Sequence, residues 1–311
     1  MKLLLHIGLP KAASSTLQRE VFCQQKLGFD LLETQLDSNF PLKTVEDVIY
    51  GNDFTIDLPT IKQDLNEYID SRENPDLISV ISQEKLIGLP DDGPCYTKRV
   101  ANRLNGICPD AKILIVIREQ RRFVLSCYNQ RIRNSSNVKL ERFIGSEGYA
   151  SDGYPAIMDA DFLKYDKTIE YYESLFGSEN VIVLVFEELV KDFEAGVNAI
   201  RAKFGMTDRV HFEAVPRRNS GEGMATVECM RLLNTFCGDP HAYGIDQPSA
   251  TWFLKRVARR GFNRFLPNML HIKQHDEYMN LINEFYGDLY RESNTILSQK
   301  LGVDLRDYGY M

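Results

Sequence analysis

A lysine and three hydroxyl side chains lie close together near the start of the chain. Lys11 is followed by Ser14, Ser15 and Thr16, and all four come after a short apolar run at residues 3–5. The run predicts a buried strand, and the residues after it predict a tight loop and the first turn of a helix. The first N–H groups of a helix have no partners within the helix, and a lysine beside them adds a full positive charge. We therefore expect this loop to bind a phosphorylated ligand.

An arginine and a serine form a second candidate site. Residues 113–117 are apolar throughout, which predicts a central parallel strand that is buried on both faces. Arg118 ends this strand, and Ser126 follows eight positions later on the next predicted helix. Ligands of α/β proteins bind at the carboxyl ends of the strands, and an arginine there suits a phosphate. A magnesium-dependent triphosphatase often has an Asp at this point, so we expect no metal.

The first loop resembles the 5′-phosphosulfate loop of sulfotransferases, which use 3′-phosphoadenosine-5′-phosphosulfate (PAPS). That loop has a proline and a lysine, then a small residue, a glycine and two hydroxyl residues, and Ala13 replaces the glycine here. It differs from the loop of nucleoside triphosphatases, in which the lysine follows the second glycine. The resemblance assigns the 5′-phosphosulfate to Pro10, Lys11, Ala12, Ala13, Ser14, Ser15 and Thr16.

The second site resembles the 3′-phosphate motif of the same family. In that motif seven residues separate an arginine from a serine, and a tyrosine follows two positions later. Arg118, Ser126 and Tyr128 match the motif, and Gln120 stands where the family often has a proline. The resemblance implies that Arg118 and Ser126 bind the 3′-phosphate of PAPS.

Two further segments resemble the family more weakly. Residues 181–189 form an apolar run that ends in an acidic turn, with Phe186 and Glu188 where the family has tyrosine and aspartate. Arg217 and Arg218 lie in a basic turn, and the family often has a basic segment near the 3′-phosphate and the adenosine. A plain exposed loop is the alternative interpretation of these two arginines.

The resemblance implies in-line transfer of a sulfuryl group from PAPS to a hydroxyl or an amine, with PAP as the product. Lys11 would stabilise the bridging oxygen as its bond breaks. The acceptor needs a general base, and family members use a His or a Glu. Glu84 follows the predicted strand 77–82 and is our candidate, with His6 as its rival. The structural alternative for Glu84 is a helix-cap carboxylate or a salt bridge with Lys85 or another neighbour. The structural alternative for His6 is a buried, hydrogen-bonded histidine.

Strands alternate with helices along the chain, which predicts an α/β fold. We expect three layers like those of P-loop proteins, with a central parallel sheet flanked by helices. The predicted strands are 2–7, 77–82, 112–117 and 180–186, and the predicted helices are 14–26, 60–73, 95–107, 120–133, 160–176, 192–204 and 274–300. Residues 134–158 predict a loop over the site. We expect a single domain over residues 1–311, with a helical C-terminal part from about residue 222 to the end.

The composition argues against several classes of partner. The chain has 311 residues and a net charge of −7, so we expect no binding to nucleic acid. No apolar run has the length of a membrane span, and the six cysteines lack metal-site spacing, so we expect a cytoplasmic protein. One segment, 252–273, is basic and aromatic with no acidic residue. It predicts either a solvated helical face or a peripheral contact with an anionic acceptor or a membrane surface.

Two other functions stay open at the level of sequence. A kinase-like phosphotransferase would use ATP and magnesium on a similar fold, but its lysine position and its magnesium aspartate are missing here. A non-catalytic protein that binds PAP or PAPS would keep the nucleotide site without a base, although binding alone does not need Lys11. We expect the acceptor to be a small molecule, a carbohydrate or a lipid, although the sequence does not separate these from one another or from a protein tyrosine.

Overall fold

The described strands form one parallel sheet. The computed structural model describes residues 2–32, 42–72, 74–90, 96–145, 156–212, 223–237 and 250–311, with the backbone alone at residues 42–44, 237 and 250–252. In chain order the strands are β1 (Leu3–His6), β2 (Phe29–Leu31), β3 (Ile78–Ser82), β4 (Lys112–Ile117) and β5 (Val181–Val185). They pair in the order β2-β3-β1-β4-β5, and every pair is parallel.

Apolar runs produce the strands at the centre of this sheet. Residues 3–5 of β1 and 113–117 of β4 are almost inaccessible to solvent, as expected for strands that are covered on both faces. β1 lies between β3 and β4 and pairs with both. The four predicted strands and the α/β fold with a central parallel sheet are confirmed. The sequence does not predict β2, because its three residues are too few to show a pattern.

Helices connect the strands and pack against the sheet. The described α-helices are α1 (Ser14–Leu17), α2 (Leu42–Tyr50), α3 (Leu58–Asp70), α4 (Thr97–Ile107), α5 (Gln120–Arg133), α6 (Leu140–Ile144), α7 (Tyr165–Phe176), α8 (Phe186–Lys191), α9 (Phe193–Ala202), α10 (Met224–Cys237), α11 (Ala250–Phe265), α12 (Asn268–Tyr286) and α13 (Arg291–Leu301). α7 packs against β4 and β5, and both α10 and α12 pack against α5. The C-terminal helices therefore contact the helix that follows β4.

Three predicted elements differ from the structure. The helix predicted at 14–26 is only one turn, α1, followed by a π-helical turn at Gln18–Phe22. The helix predicted at 274–300 is divided into α12 and α13, because Gly287 ends α12 and glycine is a poor helix former. The loop predicted at 134–158 contains α6, which buries three apolar side chains and ends at Gly145 in the left-handed conformation. Residues 146–155 of that loop lie outside the described part.

The described part of the chain shows neither a membrane-spanning helix nor a metal-binding cluster. None of the described helices combines the length and the apolar composition needed to cross a bilayer. Among the described residues, no group of three or more His, Cys, Asp and Glu side chains is placed to hold a metal ion.

Candidate active site

Three neighbouring strands deliver the candidate residues to one edge of the sheet. The loop that holds Lys11 follows β1, Glu84 lies two residues after β3, and Arg118 lies directly after β4. β3, β1 and β4 are adjacent and parallel, so their carboxyl ends share an edge. This is the edge at which open α/β sheets bind ligands. The candidate residues are distant in sequence and come together through the strand order alone.

The loop after β1 has an unusual backbone conformation. Lys11 has φ +64° and Ala13 has φ +66°, both in the left-handed region that favours glycine. This accounts for the glycine that sulfotransferases usually have at the position of Ala13. In the described part of the chain, we find no acceptor for the backbone N–H groups of residues 12 to 15, whereas the N–H groups of Thr16 and Leu17 bond to the Ala13 carbonyl. Within the loop, the Ala12 side chain is fully buried.

The Lys11 amine is held by a residue that the sequence analysis missed. Lys11 Nζ donates to Gln130 Oε1 at 2.9 Å, and Gln130 Nε2 donates to Asn134 Oδ1 at 3.0 Å. Gln130 is four residues after Ser126 on α5, so the two share one face of that helix. The spacing from Ser126 was the available indication that Gln130 faces the loop. The contact fixes the position of the ammonium group in the absence of a ligand.

Arg118, directly after β4, connects this strand to the loop after β1 through a hydrogen bond. Its Nη1 donates to the Lys11 carbonyl at 2.6 Å, and its guanidinium lies over the Phe186 ring at 4.8 Å. Burial lowers the pKa of Arg118 below its ordinary value, and the nearby charge of Glu187 partly offsets this. The Arg118 Nε atom is buried and has no hydrogen-bond acceptor among the described residues. One buried donor of this arginine is therefore available to an anion.

The other two residues of the 3′-phosphate motif have different surroundings. Ser126 is half-buried on α5, and its hydroxyl makes no hydrogen bond in the described part of the chain. Tyr128 is fully buried, donates to the Val138 carbonyl at 3.1 Å and packs edge-on against Tyr278. Tyr128 therefore has a structural role in packing, whereas the Ser126 hydroxyl is accessible to a ligand.

Glu84 lies beside the loop residues Lys11 and Ser14. It begins a turn of 3₁₀ helix after β3 and is half-buried. Burial raises the pKa of Glu84 above its ordinary value, while a hydrogen bond from Ser14 and the charge of Lys11 oppose the rise. The Ser14 hydroxyl is 3.5 Å from the Leu9 carbonyl, a distance too long for a strong hydrogen bond. Lys85 lies over the Tyr50 ring at 5.4 Å, away from a pairing with Glu84.

His6 forms a separate buried network under the loop. Its Nδ1 is 2.7 Å from Ser82 Oγ, and Gln18 Nε2 donates to the same oxygen at 3.1 Å. His6 is only 1% exposed, and burial lowers its pKa to about 3. A Cβ atom at Gly8 would lie 2.6 Å from His6 Nε2, so a glycine is required there. His6 is therefore neutral and enclosed, as in the structural alternative for this residue.

Two sequence candidates remain, the arginines of the basic turn and the acidic residues after β5. Arg217 and Arg218 lie outside the described residues. The predicted acidic turn after β5 is the start of α8, and its Glu187 lies near Arg118. Glu187 accepts a hydrogen bond from the Glu119 N–H group at 3.1 Å and another from the Tyr310 hydroxyl at 3.1 Å. Tyr310, near the C-terminus, therefore contacts α8, the helix whose Phe186 ring lies against the Arg118 guanidinium.

Comparisons with known proteins show a similarity in structure but none in sequence family. No protein-family model matches the chain, and no curated protein matches it. The chain is similar to the crystal structure of a sulfotransferase from Alicyclobacillus acidocaldarius, with 20% sequence identity and a TM-score of 0.47. The similarity covers 77% of this chain and 97% of the other. A likeness at this level does not establish a shared activity, so the assignment of function depends on the chemistry of the site.

Proposed function

We propose that this protein transfers a sulfuryl group from PAPS to a hydroxyl or an amine of an acceptor. The observation that carries the proposal is that the Glu84 carboxyl group lies within electrostatic reach of Lys11, at the sheet edge where the loop after β1 also lies. A cation that stabilises a leaving group and a carboxylate that takes a proton are the two groups that such a transfer needs. The donor itself supplies an activated sulfuryl group on its 5′-phosphate.

The residues of the loop fit the 5′ end of this donor. The backbone N–H groups of residues 12 to 15 find no acceptor among the described residues, and they would donate to phosphosulfate oxygens. The hydroxyls of Ser15 and Thr16 are at least partly accessible and would add two further donors. Pro10 begins the turn, and the small side chains of Ala12 and Ala13 leave the backbone open to a ligand.

Lys11 would act on the leaving oxygen. Negative charge grows on that oxygen as the bond to sulfur breaks, and a preformed cation stabilises it more in the transition state than in the ground state. Gln130 holds the ammonium group in place without neutralising it, because an amide carries no charge. The transferred group bears a single negative charge, so Lys11 and the loop amides can serve without a metal.

Glu84 would act as the general base. Its pKa is raised by burial, which brings a carboxylate closer to the value that suits proton transfer near neutral pH. His6 is a poorer candidate, because its enclosed imidazole is out of reach of an acceptor and is a weak base.

Arg118 and Ser126 would bind the 3′-phosphate of the donor. Within the described part of the chain, the Arg118 Nε donor and the Ser126 hydroxyl have no hydrogen-bond partner, which supports this assignment. Arg217 and Arg218 are proposed as additional contacts to the 3′-phosphate and the adenosine. A protein with these contacts prefers PAP to nucleotides that lack a 3′-phosphate.

The proposal is tested by incubating the purified protein with radiolabelled PAPS and fractionated cell metabolites, and by following labelled product and PAP release. Transfer of label to a metabolite, lost in Lys11→Ala and retained in Lys85→Ala, is the expected result. Release of PAP with label recovered only as inorganic sulfate would indicate transfer to water and no acceptor among these metabolites. Tight PAP binding with neither PAP release nor transfer would indicate a non-catalytic binding protein. Transfer from ATP that requires magnesium would indicate a kinase instead.

A further inference from the structure

The helix α11 presents its apolar side chains to solvent. Phe253 is 65% exposed and Phe265 is 79% exposed, and Leu254 and Val257 are also exposed. In an ordinary surface helix the apolar stripe faces the core. At about 100° per residue, these four positions lie within an arc of about 120°. Large apolar side chains thus form one continuous strip along the outside of α11.

Further apolar side chains are exposed in the first turns of α12. Met269, Leu270 and Ile272 are exposed there, close in sequence to Phe265. We call the exposed apolar side chains of both helices, together with Arg260 and Arg264, the outer face. Large exposed apolar surfaces mark interaction sites, because soluble monomers rarely leave such surfaces in contact with water.

The charge of the outer face has one sign. Arg260 and Arg264 are exposed beside the apolar strip, at angular positions next to Phe253. No acidic residue occurs between Gln247 and His275, although the chain as a whole has a net charge of −7. The outer face is therefore a local basic and apolar surface on an acidic protein.

We propose that the outer face docks on the surface of a lipid bilayer that contains anionic lipid. Exposed phenylalanine and aliphatic side chains enter the boundary between headgroups and acyl chains, and neighbouring arginines bind the headgroup phosphates. A second copy of this chain fits the surface poorly, because two identical faces would bring arginines of the same charge together. The proposal goes beyond the sulfuryl transfer and does not depend on it.

The bilayer would lie near the candidate active site. Lys255 on α11 donates to Ser135 Oγ at 3.0 Å. Ser135 lies just past the end of α5, on which Gln130 contacts Lys11. Ser135 is only five residues after Gln130 in the chain, so α11 contacts the chain close to the end of the helix whose Gln130 side chain holds the Lys11 amine.

The test measures binding of the full chain to vesicles by co-sedimentation. One set contains phosphatidylcholine alone, and the other contains equal parts of phosphatidylcholine and phosphatidylglycerol. The only tryptophan of the chain, Trp252, is in α11, so its fluorescence reports on this helix without a label. We expect binding to the anionic vesicles, weakened by salt, together with a shift of the tryptophan emission to shorter wavelength.

Matched variants separate the outer face from general effects. Phe253→Ser with Val257→Ser should weaken binding by about tenfold or more. The control is Phe54→Ser, which removes a side chain that is 97% exposed elsewhere and should leave binding unchanged. If the first pair does not fold, as judged by circular dichroism, Leu254→Ser with Phe265→Ser tests the same strip.

A second pair of variants tests the charge. Arg260→Gln with Arg264→Gln should weaken binding by about fivefold for each charge removed. Lys62→Gln with Lys203→Gln changes the net charge equally at two exposed positions and should have little effect.

Three results would overturn the proposal. Absence of vesicle binding would indicate that the outer face serves a protein partner. Equal binding to both kinds of vesicle would show that the arginines do not bind anionic headgroups. A dimer in solution that Phe253→Ser with Val257→Ser abolishes would assign the surface to a second copy of the chain.

Discussion

Burial favours the neutral form of two residues that lie near the same loop. The pKa of Glu84 is raised and that of His6 is lowered, since a charge is poorly solvated in both places. The consequences differ, because Glu84 is half-exposed beside the loop and His6 is enclosed below it. Accessibility, and not the pKa alone, makes Glu84 the better candidate for the base.

Glu84→Gln should reduce sulfuryl transfer by about 10²- to 10⁴-fold, the usual contribution of a positioned base. The amide keeps the shape and loses the basicity, so PAP affinity measured by calorimetry should not change. In the native protein, transfer should increase with pH as the carboxyl group loses its proton, with a midpoint above the ordinary value for Glu. Normal transfer by this variant would show that the base is another residue.

Lys11→Ala should reduce turnover by about 10²- to 10³-fold, the range for loss of one preorganised donor. PAP affinity should fall much less, because the charge on the bridging oxygen develops fully only in the transition state. Single-turnover measurements at saturating PAPS separate the two effects. Lys85→Ala is the control, since Lys85 lies over Tyr50 and not at the loop. A variant with normal turnover and weak PAPS binding would limit Lys11 to a binding role.

His6 should make the native protein less stable in acid. The unfolded chain has a His pKa of about 6.5, whereas the folded value is about 3, so the unfolded state binds more protons between these values. Stability from this residue is fully present above pH 6.5 and is lost as pH falls toward 3, at about 1.4 kcal/mol per pH unit.

His6→Asn keeps a polar atom near Ser82 and removes the titration. The check is urea unfolding of both proteins at several pH values. The difference in unfolding free energy between native and variant should decrease as the pH is lowered from 6.5. A difference that is independent of pH would show that His6 is not held in its neutral form.

At the scale of single elements, the loop after β1 stores strain in two residues with positive φ. An L-residue in this conformation costs about 1–2 kcal/mol, and glycine avoids this cost. Ala13→Gly should therefore leave stability unchanged or raise it by up to about 1 kcal/mol, after the extra flexibility of the unfolded chain is subtracted.

Ala12→Gly is the matched control for this prediction. Ala12 does not have positive φ and is fully buried, so its change to glycine should destabilise the protein. Thermal unfolding of the two variants compares them directly. Equal destabilisation would show that the loop conformation in solution differs from the one described here.

The strands and the shared edge of the sheet could be predicted from the sequence, whereas the contacts across that edge could not. Apolar runs mark β1 and β4 because both faces are buried, and residues at the ends of parallel strands must lie at one edge. Lys11 and Gln130 are 119 positions apart, and their contact depends on how α5 packs beside the loop. The division of the last predicted helix at Gly287 was missed because apolar residues continue at helical spacing across it.

At the scale of the whole molecule, the proposed function requires a chain of net negative charge to bind an anionic nucleotide. The net charge of −7 repels such a ligand at long range, so affinity has to come from local donors. PAP should therefore raise the melting temperature more than ADP at equal concentration, because ADP lacks the 3′-phosphate and stabilisation follows RT ln(1 + [L]/Kd). Charge-assisted hydrogen bonds contribute about 1.5–3 kcal/mol each.

Ser126→Ala provides the control for this nucleotide preference. The variant should reduce the shift caused by PAP and leave the smaller shift caused by ADP unchanged, since only PAP has a phosphate for this hydroxyl. Equal shifts for PAP and ADP in the native protein would contradict the assignment of Arg118 and Ser126 to a 3′-phosphate.

The central position of β1 determines when the site can assemble during synthesis. β1 precedes its partners β3 and β4 in the chain, and Leu5 pairs with Ile113, more than one hundred residues later. A ribosome adds about 5–20 residues per second, so the first strand waits for several seconds with its apolar edges unpaired. During this time it is open to pairing with other chains and is a natural client for a chaperone. The loop gains its hydrogen bond from Arg118 only when Arg118 has emerged, so the proposed anion site is completed late in synthesis.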